Sequence, residues 1–146
     1  MNRDAAQPVQ LRSVPLPATA IDLLRRADAE LLAAQFAADP GERFVHAHLA
    51  ALRGAAAVLA VRGRPSGRRA PRTAWEMLAS VAPEVEAWSV YFAAGAATRQ
   101  AVEAGRSDAV GPARSEEALC SAEDFLDDVR ALLEPERAQL LSVRAS

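Results

Sequence analysis

Two histidines, His46 and His48, are the only imidazoles in the chain, and Arg43 lies just before them. Imidazole is the side chain best suited to hold a metal or move a proton near neutral pH. Placed on a helix, residues two apart point about 200° from each other, so His46 and His48 cannot share one ion. That spacing excludes a metal site built from this pair. His48 falls about 60° from the centre of the apolar stripe of its helix, which suits a hydrogen-bonded histidine at the core edge.

Charge supplies the other candidates. Arg62, Arg64, Arg68, Arg69 and Arg72 cluster in and beside the run GRPSGRRAPR. Five guanidinium groups could neutralise phosphates, and binding of that kind weakens steeply with salt. No aromatic residue interleaves them, so a solvated loop is the simpler expectation. Arg99 falls among Trp88, Phe92, Gly95 and Val102, on the apolar face of its helix. A buried guanidinium needs a partner, for which Asp28 or Asp124 is expected. Cys120, the lone cysteine, reads as inert packing. The acids from Glu116 to Asp128 read as a solvated face, without the Glu-x-x-His spacing of carboxylate di-metal bundles. No phosphate-cradling glycine loop or nucleophile elbow occurs. Neither metal nor cofactor is expected.

These residues must be positioned by helices. Thr19 is a suitable N-cap for a first helix carrying Leu24, Ala27, Leu31, Ala34 and Ala38 at helical spacing, closed near Asp39 by Pro40 and Gly41. A second helix covers Glu42 to Arg62, with Pro40 suited to its first turn. Val45, Leu49, Leu52, Ala56 and Leu59 form a stripe about 80° wide on it, predicted as core. Gly54 and the alanines around it permit close helix approach. Gly63 to Arg72 is a loop. Thr73 and Glu76 then form the S/T-x-x-E capping box of a short helix. A fourth helix runs from Glu84 to about Glu103. A fifth starts at Ser115 or Ser121 and is bounded by Pro135. The expectation is an all-α antiparallel bundle of four to five helices over 19–143, preceded by a loosely ordered arm over 1–18.

Composition narrows the classes. The chain has 146 residues, 51% of them hydrophobic but only 5% aromatic. Much of that apolar content is alanine, so the core is expected to form from closely approaching Ala and Leu surfaces. The net charge of −2 gives no overall attraction for nucleic acid or anionic membrane. Every basic residue is Arg, a pattern matching the coding bias of a GC-rich bacterial genome. With one cysteine there is no internal disulfide, and a reducing cytoplasm fits. Arg53 and Arg62 interrupt the most apolar stretch, so no membrane span or membrane contact is expected.

The run HAHLAALRGAAAVLAVRGRP, preceded by LLRRADAELLAAQFAADPGERF and followed by TAWEMLASVAPEVEAWSVYFAAGAATRQAVEAG, resembles HEPN domains. It is most similar to a small single-domain actinobacterial subfamily. The resemblance extends from Ile21 to Leu133 and rests on helix lengths and small-residue placement. It implies an antiparallel bundle, commonly dimeric, in a superfamily of metal-independent RNases and non-catalytic RNA-binding or partner-binding members. Its RNases carry Arg-x4-6-His late in the bundle. Here Arg99 is followed by Ala104, Gly105 and Arg106, and the histidine is missing. Arg43 and His48 match the letters Arg-x4-His, yet they lie on the second helix, about 140° apart. A misplaced histidine supplies no evident general acid or base. The resemblance therefore implies a non-catalytic, homodimeric, cytoplasmic module that binds a protein or RNA partner. Two alternatives remain open. One is a metal-independent endoribonuclease using Arg43 and His48, or Arg99 with a histidine of another subunit. The other is a nucleotide or small-ligand binder near Trp88 and Arg99.

Overall fold

Helix after helix follows from the sequence, and only their ends and faces need correction. The computed structural model describes residues 15–67 and 73–145, with side chains described through 134. Five α-helices occur among them, and no strand: α1 (Ala18–Phe36), α2 (Pro40–Arg62), α3 (Ala74–Val81), α4 (Glu86–Glu103) and α5 (Pro112–Ala145). Short 3-10 turns, Pro83–Val85 and Ser107–Ala109, precede α4 and α5. Most of the arm expected before Thr19 lies outside the described residues, as do Arg68, Arg69 and Arg72.

Local signals explain most boundaries. The first helix, expected to end near Asp39, stops at Phe36, and Asp39 caps α2, accepting the Glu42 amide at 3.0 Å, with Pro40 in the first turn. Gly63 closes α2 at a φ of +91°, a conformation that favours glycine, and donates to the Leu59 carbonyl at 2.8 Å. The capping box of α3 is complete: Thr73 Oγ1 accepts from the Glu76 amide at 3.1 Å and Glu76 Oε1 from the Thr73 amide at 3.2 Å. Two expectations fail. Thr19 lies inside α1, whose N-cap is Pro17 without a side-chain cap. Helix α5 continues through Pro135, because proline costs one helical bond, to the carbonyl of Ala131, and that residue is exposed to water.

Side-chain pairings fix the helix directions. Glu30 meets His46 and Ala34 meets Arg43, so α1 and α2 are antiparallel. Asp28 pairs with Arg130 and Gln35 with Glu123, which sets α5 antiparallel to α1. Trp88 donates to Asp128 while Phe92 packs on Phe125, setting α4 antiparallel to α5. The result is an up-down-up-down bundle, with α3 across one side and α2 touching all four other helices.

Helix α2 is the centre, but of the predicted stripe only Leu59 is fully buried. Phe44, Ala47, Ala50, Ala51, Gly54, Ala55, Ala57, Val58 and Leu59 are buried, whereas Val45, Leu49, Leu52 and Ala56 are half-buried. Neighbours on several sides require small residues where backbones come close. At Gly54 a Cβ would stand 2.5 Å from Leu126 Cδ2. The space above the alanines is filled by aromatic rings. Phe44, Trp75, Trp88, Tyr91, Phe92 and Phe125 form one ring cluster, and Phe36 alone among the aromatics is left out, at 81% exposed. By length and composition α2 is apolar enough to cross a membrane. In this fold its apolar surface is spent on the other helices.

Gly54→Ala tests the close approach. Higher helix propensity favours the variant by about 1 kcal/mol, but the overlap with buried Leu126 costs about 1–3 kcal/mol. A net fall in urea-unfolding stability is expected, and it should shrink in a Leu126→Ala background, where the methyl has room.

Candidate functional site

His48 is the most enclosed titratable group among the described residues, 3% exposed on α2. Rings of Phe44, Trp75 and Phe92 surround it, with centroids 6.2, 6.0 and 6.2 Å away. Gly95 of α4 makes the space: a Cβ there would meet His48 Cδ2 at 3.3 Å and Phe44 Cζ at 3.4 Å. Both ring nitrogens are engaged. His48 Nε2 lies 2.9 Å from the Phe92 carbonyl oxygen, which can only accept, so Nε2 carries the proton. Nδ1 then has a lone pair, and it accepts from Arg99 Nε–H at 3.1 Å. These two bonds fix the neutral imidazole in one tautomer.

The electrostatics agree with that geometry. Burial pushes the His48 pKa below its usual value, the Phe92 carbonyl opposes this, and the nearby Arg99 and Arg114 cations lower it further, with Glu103 opposing. Arg99 is oriented by Glu103 on its own helix, Nη1 to Oε1 at 2.8 Å. Its expected partners are otherwise placed: Asp28 pairs with Arg130, and Asp124 is exposed. Arg99 met a histidine because its helix faces α2 at that height. Sequence reasoning placed it on the apolar face but could not see across to the facing helix.

Arg114 was missed altogether. From the first turn of α5 its guanidinium lies over the Phe44 ring at 4.8 Å and the Tyr91 ring at 5.4 Å, and donates to Tyr91 Oη at 3.0 Å and Glu117 Oε1 at 3.2 Å. Phe44, His48, Tyr91, Phe92, Gly95, Arg114 and Ala118 line a crevice of about 10 Å³. One water-sized sphere occupies that much space. No substrate group fits it without a rearrangement.

The remaining sequence candidates lie elsewhere. Arg43 closes the end of α1: Nε donates to the Ala34 carbonyl at 3.1 Å, Nη2 to the Ala37 carbonyl at 2.6 Å and Nη1 to Glu116 at 2.7 Å. Arg43 and His48 thus share a helix but no partner. His46 points to α1, its Nδ1 2.7 Å from Glu30 Oε1. Arg62 grips Glu84 at 3.0 and 2.9 Å and donates to the Val81 carbonyl at 3.0 Å. That pairing holds the Glu84 carboxyl below its usual pKa. Arg62 therefore ties α2 to the turn before α4, and Arg64 is the exposed arginine among the loop's described residues. Cys120, expected as packing, is exposed.

Two outcomes follow. Since the folded pKa of His48 lies below its unfolded value, the unfolded chain binds the proton first as pH falls. Stability contributed by neutral His48 is complete above about pH 6.5 and is lost below it, with a slope of at most about 1.4 kcal/mol per pH unit. Urea unfolding between pH 8 and 5 should show this loss in the wild type and less of it in His48→Gln. Arg43→Ala should lower stability by about 2 kcal/mol, read by the same measurement, and Arg43→Lys should not restore it because one ammonium cannot span three acceptors.

Comparison with known proteins agrees with the fold. No curated protein and no solved structure gives a significant match. Residues 34–130 match the family model described as SAV_6107-like HEPN. That match runs from the end of α1, through the whole of α2, α3 and α4, to Arg130 of α5, and it contains His48, Arg99 and Arg114. The chain belongs to the SAV_6107-like HEPN family.

Proposed function

We propose that this protein is a non-catalytic HEPN module that binds a macromolecular partner, itself as a homodimer in the cytoplasm. The carrying observation is the state of His48. A general base must offer a lone pair to substrate and then hold a proton. The His48 lone pair is taken by Arg99, its proton by Phe92, and an imidazolium there would face the Arg99 and Arg114 cations. With 3% exposure the ring also lies out of substrate's reach. Arg43, the other half of the Arg-x4-His letters, is consumed by two carbonyls and Glu116.

Binding is favoured by what α1 leaves uncovered. Ile21, Leu32 and Phe36 are 38%, 56% and 81% exposed. Leu32 and Phe36 are one helical turn apart and form a short apolar strip, while Ile21 lies on the same side beyond the exposed Arg25. Contiguous apolar surface on a soluble protein marks contact sites more often than isolated apolar residues do. A protein surface, including that of a second copy, complements it better than RNA does. The basic loop favours RNA less, because Arg62 is already committed to Glu84. The apolar content of α2 is used inside the bundle, which supports a role away from the membrane.

Incubation of purified protein with structured and single-stranded RNA in chelator should give no cleavage, and His48→Ala should change nothing. Cleavage lost in both Arg43→Ala and His48→Ala overturns the reading in favour of a ribonuclease. Light scattering should show a dimer for the wild type that Phe36→Glu weakens. A monomer at every concentration removes the homodimer.

A further inference from the structure

Helix α4 is fastened unevenly along its length. Its first half carries the buried Ser89 and Phe92, and its Trp88 and Tyr91 are hydrogen-bonded to Asp128 and Arg114 of α5. Beyond Gly95 no residue of α4 is buried, and half-buried Val102 lies by Gly41 of α2. Among the described residues, one hydrogen bond joins 96–103 to another helix, from Arg99 Nε to His48 Nδ1 at 3.1 Å. Segments with little buried surface open before the whole chain unfolds. The hold on these last two turns therefore depends on one imidazole.

That bond exists only while His48 is neutral. Nε2 already carries the proton given to the Phe92 carbonyl, so a second proton must go to Nδ1, where a donor would then face the Arg99 donor. Charge adds to the conflict. The groups around the ring are Arg99 and Glu103 of α4 and Arg114 of α5, the last paired with Glu117, while Phe44 of α2 and Trp75 of α3 bring no charge. Arg99 touches the imidazole directly, and its carboxylate partner Glu103 is engaged by the guanidinium instead. A charged ring is thus disfavoured in the closed bundle and favoured in water.

We propose that His48 is a proton-operated latch: a second proton on its ring frees 96–103 from α2 while the rest of the bundle stays folded. The released turns carry Arg99 into water together with Glu103, and the imidazolium no longer faces a donor. Release also widens the crevice between Gly95, Phe44 and Tyr91, so acid uncovers apolar surface that the neutral ring keeps closed. The latch goes beyond the partner-binding reading and does not rest on the α1 strip or on a second copy.

Amide hydrogen exchange, followed residue by residue by NMR and corrected for the intrinsic pH dependence of exchange, reads the latch. The amides of 100–103 bond to the carbonyls of 96–99 and lose protection when these turns open. Since the open state binds one more proton, their protection should fall below about pH 6.5, by at most about tenfold per pH unit. Little surface is exposed by this opening, so it should respond weakly to urea, whereas exchange at 50–57 of α2 should follow urea as global unfolding does. His48→Gln has no proton to take, and its 100–103 amides should lose the acid response. Arg99→Glu leaves the buried ring in place and offers a protonated Nδ1 an acceptor, so protection should instead rise between about pH 8 and about pH 5. The latch is overturned by no acid response at 100–103, by one that survives in His48→Gln, by one as urea-sensitive as that at 50–57, or by acid loss of protection in Arg99→Glu.

Discussion

A helix in contact with four others has no broad solvent face, and its large side chains cannot all be accommodated where its neighbours' backbones lie. Helix α2 meets this constraint with size. Ala47, Ala50, Ala51, Gly54, Ala55 and Ala57 are buried, and at Gly54 a single added carbon would overlap Leu126. Close approach then fixes everything next to it. Alanines fill little volume, and close-packed interiors do not leave gaps, so bulk must come from partners. Six of the chain's aromatic rings converge beside α2 for that reason, drawn from α2, α3, α4 and α5. A composition low in aromatics had suggested an Ala and Leu core throughout. The few rings present are instead concentrated at one level of the bundle.

His48 sits inside that ring cluster, and its chemistry follows from the packing rather than the reverse. Gly95 lets α4 come close enough for the Phe92 carbonyl to accept from Nε2, and the same closeness brings Arg99 onto Nδ1. A protonated imidazole would offer Arg99 a donor where it now finds an acceptor. The ring is therefore a neutral connector between α2 and α4. Arg99 and Arg114 each pair with a carboxylate at the solvent edge, Glu103 and Glu117. An active-site imidazole needs the opposite arrangement, one nitrogen held and the other turned toward open space.

What could be read in advance divides along physical lines. Signals carried by a few adjacent residues were legible: Pro40 in the first turn of α2, the box from Thr73 to Glu76, and the chain break at Gly63. The angular separation of His46 and His48 was also legible, since it depends on helix geometry alone, and they indeed face α1 and α4 respectively. The core face of α2 was not. Its apolar residues run nearly around the helix, so periodicity selected the large side chains, whereas burial follows the small ones. Pairings across the bundle were equally hidden. Arg99 with His48, Arg43 with the end of α1, and Arg114 over Phe44 depend on which helices lie side by side, and no spacing along one helix encodes that.

Trp75 connects α3 to the rings around His48. It stacks on Phe92 at 5.3 Å and meets His48 edge-on. Only 5% of it is exposed, and the capping box fixes the start of the short helix that carries it. The histidine is thus flanked by rings from three helices, whose close packing contributes more to holding them together than exposed ion pairs at the surface do.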